Sequence, residues 1–171
     1  MRLLREYIRV VLEQAEHSAY PPEFVEVLNA YVRDSRLLNA AQKRLLQGWV
    51  VGKKLGSPMT LERVSERLPE ELVGDTMNFN LTSFTKIAVS QGKNAGQIGW
   101  KYSDKCIIAI PNATRGWEID YSVVDVSFDA SAEQEVLVTG NYRVIRIDKI
   151  TEPGTKPQDE YTIPYYVLQE Q

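Results

Sequence analysis

Apolar positions recur at helical spacing in three successive segments of the first third of the chain. The second segment has Pro21-Pro22 in its expected first turn, and the third follows Asp34-Ser35, two good capping residues, and is predicted to stop before Gly48. The apolar faces of the three predicted helices consist of Leu4, Ile8, Val11, Leu12 and Ala15, then Phe24, Val27, Leu28, Tyr31 and Val32, and finally Leu37, Leu38, Ala41 and Leu45. Residues 1–46 are therefore expected to form a helical segment.

From about Gly74 onward, alternation and short apolar runs predict strands. The earliest strand-like run is Trp49-Val50-Val51, and a further short helix is expected to begin at Thr60 and to include residues 60–64. Residues 159–168 are interpreted as a last edge strand, because Pro164 cannot donate to a ladder. The remaining predicted strands cover residues 78–83, 106–110, 119–127, 135–138 and 142–147. Helices followed by strands favour the α+β class, with a mixed, largely antiparallel core over residues 47–171.

Composition narrows the function classes. The chain has 171 residues, and its 20 basic and 23 acidic side chains leave a net charge of −3, whereas a dedicated nucleic-acid binder has a strong basic excess. One cysteine and one histidine argue against a disulfide framework, a Ser-His-Asp triad and a histidine-rich metal site. No apolar run is long enough to span a membrane, and the charged N-terminal residues do not resemble a secretory signal. A cytoplasmic protein without metal is expected.

The segment from residue 131 to residue 144 contains the most informative pattern. Glu133 and Glu135 would point to the same side if both enter a strand, where each would disfavour the ionisation of the other. On spacing alone, a solvated strand edge is the commoner explanation of such a pair. An apolar run follows the pair, and a turn and a second strand are expected after it.

This segment resembles the catalytic signature of mono-ADP-ribosyltransferases of the arginine-specific type, in which Glu-x-Glu precedes an apolar strand. It is particularly similar to enzymes of tailed phages that modify host proteins such as RNA polymerase. The resemblance extends to Gly74-Asp75 and to residues 81–85, which look like the Ser-Thr-Ser strand of that family and its approach. It covers roughly residues 46–147 and implies the two-sheet core of the ADP-ribosyltransferase fold.

The resemblance implies a role for each matching residue. Glu135 would stabilise the positively charged ribose as nicotinamide leaves NAD, and Glu133 would orient the acceptor. Phe128 and Asp129 would belong to the turn that recognises the target protein. The residues expected to contact NAD are Gln47, Gly48, Ser83, Phe84 and Thr85. For residues 82–85, an ordinary strand end or helix cap is the competing interpretation.

One position departs from the family pattern. The family carries an arginine, usually followed by glycine, on the first core strand, and the best match places Gln47-Gly48 there. Glutamine brings no charge, so that phosphate binding should weaken. Either basic residues such as Lys53 or Lys54 anchor NAD instead, or the chain is a degenerate relative.

The resemblance therefore implies a mono-ADP-ribosyltransferase that transfers ADP-ribose from NAD to a protein acceptor, with arginine the preferred residue. NAD would be a co-substrate, the acceptor could be a host protein, and the enzyme would then act in the host cytoplasm. No direct contact with nucleic acid or membrane is expected. Two alternatives remain open, namely a catalytically degenerate binding or structural protein and an NAD glycohydrolase in which water replaces the protein acceptor.

Overall fold

A computed structural model of the chain describes residues 20–89, 105–125, 134–151 and 162–171. The first predicted helix, with Leu4 and Ile8, lies outside these residues. In chain order the elements are α1 (Pro22–Asp34), α2 (Ala40–Val50), β1 (Lys54–Glu66), β2 (Thr76–Thr85), β3 (Lys105–Arg115), β4 (Trp117–Glu118), β5 (Glu135–Thr151) and β6 (Thr162–Glu170). Two short 3-10 turns cover Ser35–Leu37 and Tyr121–Val123.

The described residues fall into two units, and residues 20–46 and 120–125 make up the first. Its helix α1 buries Phe24, Val27 and Leu28 on the face that the apolar periodicity predicts. Asp125 is tied to this helix, because its N–H donates to Asn29 Oδ1 over 2.6 Å. Arg33 Nη2 adds a bond of 3.2 Å to the Asp125 carbonyl oxygen.

Helix α2 begins and ends later than the sequence predicts. Its first turn is capped by Asn39, whose Oδ1 accepts from the N–H groups of Ala41 and Gln42, each over 2.9 Å. Asp34 instead caps the preceding 3-10 turn. The helix continues through Gly48, and the chain leaves it near Gly52, which has a positive φ of 76°. The predicted stop at Gly48 and the predicted strand at 49–51 are therefore both wrong.

The second unit contains a six-stranded sheet with the order β2-β1-β3-β6-β5-β4. β5 also pairs with β2, and its 17 residues suffice for both partners: Glu135 to Arg143 pair with β2, and Tyr142 to Thr151 pair with β6. The pairing of β3 with β6 is parallel, and the other pairings are antiparallel. The α+β class and the largely antiparallel core are confirmed. Because β2 also pairs with β5, the strands β1, β2, β3, β5 and β6 form a closed ring of pairings.

One side of the closed sheet faces the main core of the second unit. Alternation along each strand brings these side chains to the same side. The buried members are Leu61, Phe79, Phe84, Cys106, Ile108, Ile110, Ala113, Val136, Val138, Tyr142, Val144, Tyr166 and Leu168. The residues between them on each strand point to the opposite side, which is where the candidate site lies.

Tertiary pairing overrides the local pattern at several positions. Residues 60–64 form strand rather than helix, because β1 pairs residue by residue with β3 from Leu61↔Ile110 onward. Residues 119–125 carry no strand, since Asp120 caps a 3-10 turn through the Ser122 N–H. The two strands predicted at 135–138 and 142–147 are continuous, with Gly140 at a positive φ of 109° between them.

The last strand also differs from its prediction. β6 lies between β3 and β5 and is not an edge strand. Pro164 is tolerated there because the ladder to β3 begins only at Tyr165, so that no bond to β3 requires a proline N–H.

Candidate functional site

Glu135 is the first residue of β5, and the residue before it turns the chain. Gln134 has a positive φ of 46°, which is uncommon outside glycine. Its carbonyl oxygen accepts a bond of 3.2 Å from the Lys86 N–H, which extends the pairing of β2 with β5 by one step. Because the strand starts only at Glu135, the alternation argument for the two glutamates does not reach Glu133. Glu133 itself lies outside the described residues, as do Phe128 and Asp129.

Three polar side chains lie on the same face of the paired strands β2 and β5. Thr85 of β2 lies directly opposite Glu135 of β5, and Ser83 lies opposite Leu137. By strand alternation Ser83 and Thr85 share the face of Glu135, with side-chain origins about 5 Å apart for the direct pair and about 7–8 Å for the diagonal one. All three are half-buried. A carboxylate and two hydroxyls therefore share one partly exposed patch.

Phe84 does not belong to this patch. Its side chain is 1% exposed and packs in the core against Phe79, with ring centroids 5.4 Å apart. Because neighbouring strand residues point to opposite sides, Phe84 stabilises the strand that presents Ser83 and Thr85. A contact between Phe84 and NAD stays a prediction, and its buried side chain does not take part in the patch.

An arginine lies beside the serine. Arg63, near the end of β1, donates a hydrogen bond of 2.9 Å from Nη1 to the Ser83 carbonyl oxygen. The sequence pattern does not point to this residue, because it predicts a helix at residues 60–64. The signal that identifies it is the family pattern of an arginine on the first core strand, since Arg63 lies 20 residues before Ser83 on the first strand of the sheet.

Gln47 and Gly48 lie elsewhere. Both are in helix α2 and not on the first core strand, so that the match of Gln47 to the family arginine is wrong. Gln47 lines a cleft together with residues 78–80 of β2. That cleft begins five residues from Thr85, which is about 17 Å along a strand. Arg63, unlike Gln47, lies on the first strand and contacts the serine-bearing strand.

A second carboxylate lies next to the patch. Glu62 of β1 pairs with Thr85 in register and is 3% exposed. It accepts a hydrogen bond of 2.7 Å from Tyr165 Oη. A buried carboxylate requires such partners, because its desolvation is otherwise unfavourable. Glu62, Thr85 and Glu135 thus form one row across three adjacent strands.

The first residues of β5 pair with β4 on the edge opposite β2. The Ile119 N–H donates to the Glu135 carbonyl oxygen over 3.1 Å. Lys86 Nζ, just after β2, forms an ion pair of 2.5 Å with Glu118 Oε2 of β4. Backbone and side-chain contacts on both edges therefore fix the strand that begins with Glu135.

Among the residues that the structure describes, no group of three or more histidine, cysteine, aspartate or glutamate side chains is arranged to hold a metal ion. None of the helices in residues 20–89, 105–125, 134–151 and 162–171 has the length and apolar character needed to cross a membrane.

Comparison with solved structures identifies the fold. Plx2a, an ADP-ribosyltransferase toxin from Paenibacillus larvae, superimposes with a TM-score of 0.60 at 12% identity, over 89% of this chain and 87% of that one. C3larvin, an ADP-ribosyltransferase toxin from the same organism, gives 0.46 at 12% identity over 95% and 86%. The ADP-ribosylating toxin BECa of Clostridium perfringens, solved with NADH, gives 0.49 at 13% identity over 84% of this chain and only 39% of its own.

No protein-family model matches the chain, and no curated protein matches it. At 12% identity, the similarity to Plx2a establishes the fold alone. The chain therefore has the fold of an ADP-ribosyltransferase toxin, as the resemblance at residues 81–85 and 133–135 implies.

Proposed function

We propose that this protein is an NAD-dependent mono-ADP-ribosyltransferase that modifies a protein, with arginine as the acceptor. The observation that supports it most directly is the hydrogen bond from Arg63 to the Ser83 carbonyl oxygen, on the strand that pairs with β5 at Glu135. The fold shared with Plx2a provides the setting. A guanidinium suits the phosphates of NAD, and a carboxylate suits the positive charge that develops on the ribose as neutral nicotinamide leaves.

Glu135 carries the proposed chemistry. When the bond between ribose and nicotinamide breaks, positive charge develops on the ribose, and a fixed carboxylate stabilises that charge more than it stabilises ground-state NAD. The carboxylate would also accept a hydrogen bond from a ribose hydroxyl. Thr85 lies opposite Glu135 and Ser83 lies one diagonal away, so that both hydroxyls are near enough to orient the carboxylate or the nicotinamide amide.

Arg63 would hold the phosphates of NAD. A guanidinium has five N–H donors in a fixed plane, and the bond from Nη1 to the Ser83 carbonyl oxygen uses one of them. That bond fixes the orientation of the plane relative to β2. Arg63 would supply the charge that Gln47 lacks, which supports an active enzyme over a degenerate relative.

The acceptor side of the reaction rests on the sequence. Glu133, together with Phe128 and Asp129, would orient an incoming arginine, whose planar guanidinium matches a carboxylate. The resemblance to phage enzymes favours a host protein as the target and the host cytoplasm as the place of action.

The test is incubation of the protein with labelled NAD and a bacterial lysate, with nicotinamide release measured in parallel. Glu135→Gln keeps the shape of the side chain and removes its charge, so labelling and nicotinamide release should both fall by about a hundredfold or more. Glu71→Gln, at an exposed position before β2, is the matched control and should retain the activity of the unmodified protein.

Each outcome is informative. Brief hydroxylamine treatment cleaves ester-linked ADP-ribose first. Label that survives this treatment but is released by a hydrolase specific for ADP-ribosyl-arginine supports the arginine acceptor. Nicotinamide release without labelled protein would mean that water is the acceptor. No release by the unmodified protein, in a sample shown to be folded, would contradict the proposal.

A further inference from the structure

A second concave site lies in the same unit, at the far end of the pairing between β2 and β5 from Glu135. The cleft has a volume of about 310 Å³. None of the residues of the proposed catalytic patch lines it. The lining residues are Gln47, Val51, Gly52, Lys53, Asn78, Phe79, Asn80, Arg115, Gly116, Thr139 and Gly140.

The charges of this cleft are all of one sign. Lys53 and Arg115 line it, and no acidic side chain is among its described lining residues. The other polar side chains there are amides and one hydroxyl, which can donate to oxygen. Because the whole chain has a net charge of −3, a cationic cleft is not a consequence of composition.

Arg115 is held in place but is not fully satisfied. Its guanidinium carbon lies 5.5 Å from the ring centroid of Tyr142, and its Nε lies 3.5 Å from Glu170 Oε2. Its Nη2 is buried and has no hydrogen-bond partner among the described residues. A buried donor without a partner destabilises a protein, and such exceptions call for an explanation. Nη1 of the same guanidinium lies beside Gly140 of the cleft and is the donor that a bound anion would contact.

Glycines keep the space beside these cations open. Gly52, Gly116 and Gly140 line the cleft, and all three have positive φ values. A side chain at Gly140 would place its Cβ 3.7 Å from Arg115 Nη1 and would occupy space next to the guanidinium. On the other side, Lys53 Nζ lies 4.7 Å from the Trp49 ring centroid, a contact that orients an otherwise exposed side chain.

We propose that this cleft binds the phosphate group of a small phosphorylated molecule. Arg115 and Lys53 would bind the phosphate oxygens, and the amides of Gln47 and Asn80 with the Thr139 hydroxyl would bind the polar body of the ligand. The volume lies at the lower end of the range of small-molecule sites, which suits a mononucleotide or a sugar phosphate. Inorganic phosphate shares the recognised group and is therefore included as a probe.

The experiment is titration calorimetry of the full chain with inorganic phosphate, ribose 5-phosphate, adenosine 5′-monophosphate and adenosine. Adenosine should bind at least tenfold more weakly than its monophosphate, because charge-assisted bonds to phosphate supply most of the affinity. Lys53→Gln should weaken binding of the phosphorylated probes about fivefold or more. Lys54→Gln removes the same charge from the next residue, which does not line the cleft, and should have no such effect.

Two further variants make the test independent of folding defects. Arg115→Gln removes the guanidinium but also its contact with Tyr142, so its thermal unfolding is measured alongside. Asn80→Asp changes an exposed residue and adds a negative charge to the cleft, so it should weaken binding of every phosphorylated probe.

The proposal would be overturned by no detectable binding at millimolar probe, by adenosine binding as tightly as its monophosphate, or by binding that survives Lys53→Gln and Asn80→Asp. It would also be overturned if Arg63→Gln abolished the binding, because the probes would then occupy the proposed NAD site. If only inorganic phosphate binds, the cleft is a phosphate site without a place for a larger body. Nicotinamide release is a separate readout, so failure of the proposed transferase activity leaves this test intact.

Discussion

Arg63 Nη1 donates a hydrogen bond of 2.9 Å to the carbonyl oxygen of Ser83. The bond joins the end of β1 to the end of β2, and Thr85 of β2 lies directly opposite Glu135 of β5. Since the acceptor is a main-chain atom, the contact depends on the position of the strand and not on the serine side chain. Two residues that are 20 positions apart in sequence thus define one edge of the proposed NAD site.

Replacement of Arg63 by glutamine should weaken NAD binding about tenfold or more, because a charge-assisted contact to phosphate is lost. Calorimetry with NAD measures the effect. Arg67→Gln is the matched control, since Arg67 is more exposed and pairs with Glu70 at 2.7 Å. Gln47→Arg should not raise the NAD affinity, because helix α2 does not contribute to the patch. Normal NAD affinity in Arg63→Gln would remove Arg63 from the proposed site.

The missed arginine shows where local pattern is insufficient. Thr60 looks like a helix cap, and Leu61 and Val64 are three residues apart, as on a helical face. Both residues instead occupy positions of β1 that pair with Ile110 and Ile107 of β3. The partner strand lies more than 40 residues away, and no local signal contains that pairing.

Ser83 and Glu135 could be found because the segments around them resemble two motifs of a known family, and local pattern predicts the strands that carry them. Alternation predicts a strand at 78–83, and the apolar run after Glu135 predicts the next one. That the two strands pair, with Thr85 opposite Glu135, is a register that sequence alone does not provide. The left-handed backbone conformation of Gln134, the residue before β5, is likewise not predictable from residue type.

Gly116 should not tolerate a side chain. It has a positive φ of 146°, and a Cβ there would lie 2.9 Å from Val136 Cγ1 and 3.2 Å from the Leu137 carbonyl oxygen. Gly116→Ala should lower the free energy of unfolding by about 2 kcal/mol or more, through backbone strain and overpacking against β5. Urea denaturation measures it.

The control for this substitution is Gly56→Ala. Gly56 lies in β1, and a Cβ there would meet nothing within 4 Å. Its replacement should leave the free energy of unfolding unchanged or slightly raised, since alanine restricts the unfolded chain. Equal destabilisation by the two substitutions would show that close packing against β5 is not what requires Gly116.

The ion pair between Lys86 and Glu118 should contribute modestly to stability and should depend on salt. The two side chains are 31% and 43% exposed, so solvent screens their attraction. A double-mutant cycle with Lys86→Gln and Glu118→Gln should give a coupling of about 0.5 kcal/mol that falls further in 1 M salt. The exchanged pair Lys86→Glu with Glu118→Lys should recover part of it. A coupling that does not change with salt would mean that the two residues interact by other means.

Tyr142 should make the protein sensitive to alkali. Its side chain is fully buried in the core, and burial, together with the nearby Glu170 carboxylate, raises its pKa from 10 to about 12. The unfolded chain releases this proton near pH 10, whereas the folded chain retains it. The contribution of Tyr142 to the free energy of unfolding is therefore fully present below pH 10. It decreases by up to about 2–3 kcal/mol as the pH rises towards 12.

Urea denaturation at pH 8, 10 and 11.5 tests this expectation with Tyr142→Phe. The variant keeps the ring contacts with Phe79 and loses only a long hydroxyl contact of 3.5 Å to the Thr139 carbonyl oxygen, so its stability at pH 8 should be close to that of the unmodified protein. Its decline above pH 10 should be shallower. Some decline should persist, because burial also raises the pKa of Tyr166 and of the Cys106 thiol. Parallel pH profiles for the two proteins would show that ionisation of Tyr142 does not drive alkaline unfolding.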